Sequence, residues 1–227
     1  MKAIAERGVR IAMPGIVGAL IALALGAGAE RLARDLPGAG SLAHSLHAAE
    51  AISTDTPAAT VDSLHRGLVA LARVRPTADL AERYRALEPL ISQTHDLPYI
   101  AEFALRRQWP SLGEADRQRF VQAFSKLSIM TYASRFKNVS AEAFKRVGEE
   151  PGTERAQVLA AIARPGQPDV PLEYVLQRKE GRWLIVNIVA DGVSDLALKR
   201  AEYQRVLSTG TIDDLIEHLD AQTARLQ

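Results

Sequence analysis

The groups able to do chemistry in this chain are five histidines, a few serines and some adjacent carboxylates; there is no cysteine. His44-x-x-His47 has a ligand-like spacing. A metal site, however, needs three or four converging ligands, and no periodic element brings a third to this stretch. His95-Asp96 has the composition of a base with an orienting carboxylate, but it stands at a helix end ahead of Pro98, where polar residues serve as caps and turns. Ser194, in Gly192-Val-Ser194, is a candidate nucleophile or, more simply, the N-cap of the helix after it. Glu149-Glu150 and Asp213-Asp214 are sequence neighbours, which point apart on a helix or strand and make poor acid–base pairs. The chain holds no Gly-x-Ser-x-Gly, phosphate loop or dinucleotide fingerprint. No catalytic constellation assembles from these pieces, and no cofactor or metal is expected. Arg106-Arg107 and Lys199-Arg200 read as solvated faces, or as contacts to a partner or a lipid headgroup.

The elements around these residues begin with an apolar leader. Lys2, Arg7 and Arg10 precede an uncharged run, Ile11–Ala29, that ends in Ala27-Gly-Ala29 before Glu30. This is the signal-peptide pattern, with a small-x-small cleavage site. The alternative is an uncleaved anchor, since 19 apolar residues can just span a bilayer. Pro14 and four glycines (Gly15, Gly18, Gly26, Gly28) weaken that reading. Without residues 1–29 the chain has 198 residues, with 25 Lys+Arg against 26 Asp+Glu. This near-neutral balance excludes nucleic-acid binding by bulk charge. The absence of cysteine excludes disulfides and lipid attachment at an N-terminal Cys. A chain of this size buries an adequate core without either.

Residues 30–59 read as a linker, with turn-like Asp35-Leu-Pro-Gly38 and Thr54-Asp-Thr-Pro57. Residues 60–227 read as one folded domain. Val61, Leu64, Leu68 and Leu71 recur at helical spacing up to Pro76. Further helices are expected over 78–93, with Pro89 as a possible kink, and over 98–108. A long one starts from a Ser111-x-x-Glu114 capping box and runs to Phe136. After Asn138 the period becomes two: strands are expected over 155–164, 170–178 and 183–190, with a weaker one near 142–148. Trp183–Val189 is apolar on both faces except at Asn187, as in a covered central strand. Asp191–Ser194 breaks the sheet. A helix to Ser208 follows, ended by Gly210 as a C′ residue, and Thr211–Asp214 caps a last helix. Helices, then an antiparallel meander of about four strands, then helices define an α+β fold.

Several pieces carry a family resemblance: Ile100-Ala-Glu-Phe-Ala-Leu-Arg-Arg-Gln-Trp109, Asp116-Arg-Gln-Arg-Phe-Val-Gln-Ala-Phe124, Thr131-Tyr-Ala133, Leu172-Glu-Tyr-Val-Leu176, Gly181-Arg-Trp-Leu-Ile-Val186, Asp191-Gly-Val-Ser194 and Gly210-Thr-Ile-Asp-Asp-Leu-Ile216. In order and spacing they resemble the MlaC-like, or toluene-tolerance, family of periplasmic lipid carriers over about 97–219. Val193–Tyr203 resembles its hopanoid-associated HpnM branch. One departure is Asn187, where the family often has Asp.

The resemblance implies helices on a curved sheet around a lipid-type pocket, and a non-catalytic carrier of phospholipid or hopanoid between the inner and outer membranes. It also implies partners: an inner-membrane transporter complex and an outer-membrane component. Face periodicity together with the resemblance selects Phe103, Phe120, Phe124, Leu127, Tyr174, Leu176 and Ile185 as lipid-lining residues, with plain core packing the alternative for each. The competing function is a non-catalytic, membrane-associated interaction protein, anchored at the inner membrane by 11–29. Export with cleavage predicts that protein isolated from a bacterial periplasm begins at Glu30; an intact mass that retains residues 1–29 selects the anchored form.

Overall fold

The computed structural model describes residues 51–164 and 166–227. The leader, most of the expected linker and the His44/His47 pair lie outside the described residues. Among the described residues no helix is long and apolar enough to cross a membrane.

Among the described residues, six helices and a five-stranded antiparallel sheet make up the fold. Helix α1 spans Pro57–Val74, α2 Leu80–Thr94, α3 Leu97–Leu105 and α4 Glu114–Arg135. Strands β1 (Phe144–Glu150), β2 (Arg155–Arg164), β3 (Gln167–Lys179), β4 (Arg182–Ala190) and β5 (Val193–Ser194) pair in chain order. Helices α5 (Asp195–Leu207) and α6 (Ile212–Arg225) close the chain. Short 3₁₀ turns cover Trp109–Ser111 and Ala141–Ala143.

Side-chain caps start most of the helices. Thr56 accepts from Ala59 N–H with Pro57 in the first turn, so α1 begins earlier than the apolar period from Thr60 suggests. Asp79 and Asp96 cap α2 and α3 in the same way. Ser194 caps α5, and Thr211 with Asp214 forms a reciprocal capping box on α6. The expected Ser111–Glu114 box does not form: Ser111 closes the 3₁₀ turn by donating to Gln108 C=O, and Gly113 is the N-cap of α4 without a side-chain bond. Pro89 does not break α2.

Gly210 is not the C′ residue either. It lies two positions past the Ser208 C-cap, its N–H bonds Val206 C=O, and a Cβ there would meet Asp214 Oδ2 at 3.0 Å and Val206 O at 3.1 Å. Crowding, rather than a positive φ, accounts for glycine at this position. In the β3–β4 turn, by contrast, Glu180 and Gly181 both have positive φ (52° and 81°), the two-residue geometry that matches strand twist.

Trp183 through Val186 are all buried, so β4 is covered on both faces, as its apolar run suggests. Helices α1, α2, α3 and α5 pack on it, and α1 continues across β1 and β2. The outer edge of β4 is closed by backbone: Asp96 N–H donates to Ile185 C=O (3.1 Å) and Trp183 N–H to Thr54 C=O (2.7 Å). Helix α4 lies behind, against α2, α3 and α6. Its wide apolar arc buries Phe120, Phe124, Leu127, Ile129 and Met130, each worth about 1.5–3 kcal/mol of transfer free energy.

The structure also gives Asn187 a role. Its Oδ1 accepts from Ser194 Oγ (3.1 Å) and from Leu196 N–H (3.2 Å), tying β4 to the first turn of α5. An aspartate there would accept the same bonds and add a charge favourable to a helix N-terminus. Accordingly, Asn187→Ala should cost about 1–2 kcal/mol in urea unfolding, and Asn187→Asp should match the natural chain. Equal stability of all three proteins would remove the capping role.

Candidate functional site

Helix α1 turns two faces in two directions. Val61, Leu64, Leu68 and Leu71 go into the core. Asp62, Arg66, Val69, Ala70 and Arg73 form a second stripe, three to four residues apart, along a groove of about 470 Å³ whose opposite wall is Ala141, Phe144 and Arg146. A second groove of about 450 Å³ adjoins it, sharing Arg73 and Ala141 and adding Ala72, Pro76, Val139, Lys137 and Glu142. Each falls in the range of roughly 300–1,000 Å³ typical of ligand sites. The trough therefore has basic walls and an apolar floor. Helix α1 supplies one side, and the link from α4 into β1 supplies the other.

His65 lies at the floor, buried. Its ring stacks on Phe144 (centroids 4.0 Å apart), and its Nε2 shares a hydrogen bond of 2.8 Å with the Tyr174 hydroxyl. From Phe144 an unbroken row of rings runs inward through Phe136 and Tyr132 to His95. At that end the tautomer follows from the bonding. The Thr94 hydroxyl donates its one proton to Leu90 C=O (2.8 Å), so it must accept from His95 Nδ1–H (3.0 Å). Nε2 is then the acceptor for Tyr132 O–H (3.0 Å). Burial holds both rings neutral, His65 down to about 3 and His95 to about 4, and it raises the Tyr132 and Tyr174 hydroxyls well above the usual tyrosine range.

His95 is thus a structural group. Ser194 Oγ is engaged by Asn187 and by Ala197 N–H, not by His95. Asp96, the second half of the proposed acid–base pair, caps α3 through Tyr99 N–H and pairs with Lys179 Nζ at 2.8 Å. Among the described residues no group of three or more His, Asp or Glu could hold a metal.

Of the seven lining residues selected from sequence, six are buried: Phe120, Phe124, Leu127, Tyr174, Leu176 and Ile185. Tyr174 stands directly behind the groove through its bond to His65. Leu176 and Ile185 face each other across β3 and β4. Phe120 and Phe124 are rings in contact, with Tyr203 edge-on to Phe120 at 5.8 Å. Phe103 is half-buried elsewhere, stacked with Tyr99 and covered by the Arg106 and Arg200 guanidinium groups at 5.4 and 5.6 Å. None of the seven lines either groove. The groove residues Val69, Ala70, Arg73 and Arg146 escaped the sequence reading. The polar stripe on α1 was nonetheless visible there, at the same spacing as the apolar one.

Both histidines give a pH signature. Their folded values lie below the ordinary 6.5, so between that pH and about 4 or 3 the unfolded chain binds the extra protons. Stability is unaffected above about pH 7 and falls as the solution is acidified, by up to about 1.4 kcal/mol per pH unit for each histidine. Denaturation midpoints from pH 7 to 4 should show this slope, and His65→Gln with His95→Gln should flatten it. An unchanged slope would mean that the rings are not buried as neutral groups.

No curated protein sequence matches the chain. Several solved structures do. One is a protein of Ralstonia solanacearum described as a phospholipid-binding protein in complex with a phospholipid, at 19% identity and a TM-score of 0.67, with 77% of this chain and 98% of that one covered. At that identity the likeness establishes the fold: helices on an open antiparallel sheet. The family model of the MlaC protein matches residues 68–221, about two thirds of the chain. The protein therefore belongs to the MlaC family, whose members are non-catalytic lipid carriers of the periplasm.

Proposed function

We propose that this protein carries a phospholipid through the periplasm, between an inner-membrane transporter complex and an outer-membrane component, and that the α1–β1 trough is the mouth of its lipid site. The observation that carries this reading is the junction of a basic-walled, apolar-floored groove with a row of packed rings, buried at His65, Phe136 and His95 and half-buried at Phe144 and Tyr132. A carrier needs apolar surface for acyl chains, at roughly 0.8 kcal/mol per buried methylene, and a wet rim for the headgroup. In this reading the chains enter over Phe144 and His65 and part the packing around Tyr174, Leu176 and Ile185; Phe120, Phe124 and Leu127 bound the far end. Family membership supports the carrier role, and the phospholipid described in the Ralstonia structure supports the choice of cargo. The leader would deliver the chain to the periplasm.

Native mass spectrometry of the full chain isolated from bacterial envelope should find a phospholipid adduct that is released on activation. A hopanoid mass in its place would assign the cargo to that lipid class. Ala70→Trp, which fills the groove from a half-buried wall position, should remove the adduct with little change in melting temperature. Absence of adduct from the natural chain, even after incubation with phospholipid, would return the protein to the interaction-protein reading.

A further inference from the structure

The charges around the trough are unequal. Arg66 and Arg73 lie two turns apart on α1, with Val69 and Ala70 between them, and Arg146 faces them from β1. The adjoining groove adds Lys137. Among the described lining residues, two carboxylates stand beside Arg73, Arg146 and Lys137: Asp62 in the first groove and Glu142 in the second. Asp62 meets Arg146 only at 3.8 Å, with the Arg146 side chain half exposed and that of Asp62 about a third exposed. A pair that long and that wet binds weakly and leaves the guanidinium available to a better anion. Glu142 is held mainly by its own backbone and by Ser140, with Arg73 a smaller influence. Arg66 donates to Ser63 Oγ at 3.4 Å, beside the groove. His65 adds no charge at neutral pH. A choline-type cation would find no aromatic cage, because the Phe144 ring is already stacked on His65 and packed against Phe136.

We propose that this trough selects lipid by headgroup charge: Arg73 and Arg146, on opposite walls, receive the phosphate of a net-anionic phospholipid such as phosphatidylglycerol in preference to a zwitterionic one. The proposal rests on the carrier reading and adds a specificity to it. Guanidinium forks bind phosphate oxygens bidentately, and a headgroup without its own ammonium brings no like charge against the cationic walls.

Titration of the full chain with soluble dihexanoyl lipids at low ionic strength separates the possibilities. Phosphatidylglycerol should bind about fivefold tighter than phosphatidylcholine, the scale expected of one or two partly exposed ionic contacts, and the margin should shrink as salt is raised. The double variant Arg73→Gln, Arg146→Gln should lose the margin while still binding both lipids. Arg106→Gln with Arg200→Gln removes the same charge around Phe103, away from the trough, and should keep it. Equal affinity of the natural chain for the two lipids would overturn the selectivity. So would an equal loss in both double variants, which would assign it to bulk charge. Inorganic phosphate binding as tightly as phosphatidylglycerol would make the site one for free anions and overturn the headgroup assignment. If neither lipid binds the natural chain at all, the carrier reading itself falls, a result distinct from equal binding.

Discussion

Burial of β4 is the constraint on which the rest of the structure depends. A strand covered on both faces needs helices on one side and a closed outer edge, because its free N–H and C=O groups cannot be left without partners in a dry interior. The α2–α3 junction meets this need at Asp96. Its backbone N–H completes the edge of β4 at Ile185, its carboxylate caps α3, and its second oxygen takes Lys179 from the end of β3. One buried carboxylate thus joins helix layer and sheet. A residue that resembles half of a catalytic pair in sequence is fully occupied by the fold.

The same packing explains why the trough lies where it does. Helix α1 crosses the sheet from β4 to β1, and at the β1 end the sheet stops. Beyond that edge the helix has no strand to cover its second stripe, so Asp62, Arg66, Ala70 and Arg73 face a groove and not a core. The bulge between Arg146 and Gly148 bends β1 next to that groove, as bulges at sheet edges do. His65 lies on the boundary of the two stripes, which is why one ring can floor the groove and bond the core tyrosine behind it.

Function here is a matter of surfaces rather than of reacting groups. His65 and His95 are kept neutral by burial, which suits the proposed path for acyl chains, because a charge in that row would carry a large desolvation cost. At the groove the charged side chains stand on the rim, where water screens them. A transfer protein must also release what it holds, and rim contacts of this exposed kind are weak enough to break.

The sequence by itself determined the elements and the chemistry that is absent. Helical spacing in α1, alternation at Leu172, Tyr174 and Leu176, the doubly apolar run of β4 and the caps at Ser194 and Thr211 are local patterns, set by side-chain periodicity and by short-range hydrogen bonds. The roles of Ser111 and Gly210 depart from their local pattern because several geometries satisfy the same residue types, and neighbours in space chose among them. The meeting of groups distant in the chain was left to the tertiary structure: His65 with Tyr174, His95 with Tyr132, Arg73 across from Arg146. Periodicity identifies the face a residue occupies but not what stands opposite, so it marked Phe120 and Phe124 as inward without distinguishing packed core from cavity wall. Only the position of α1 relative to the edge of the sheet made a groove of its polar stripe, because a groove is the space between elements and belongs to no segment of the chain.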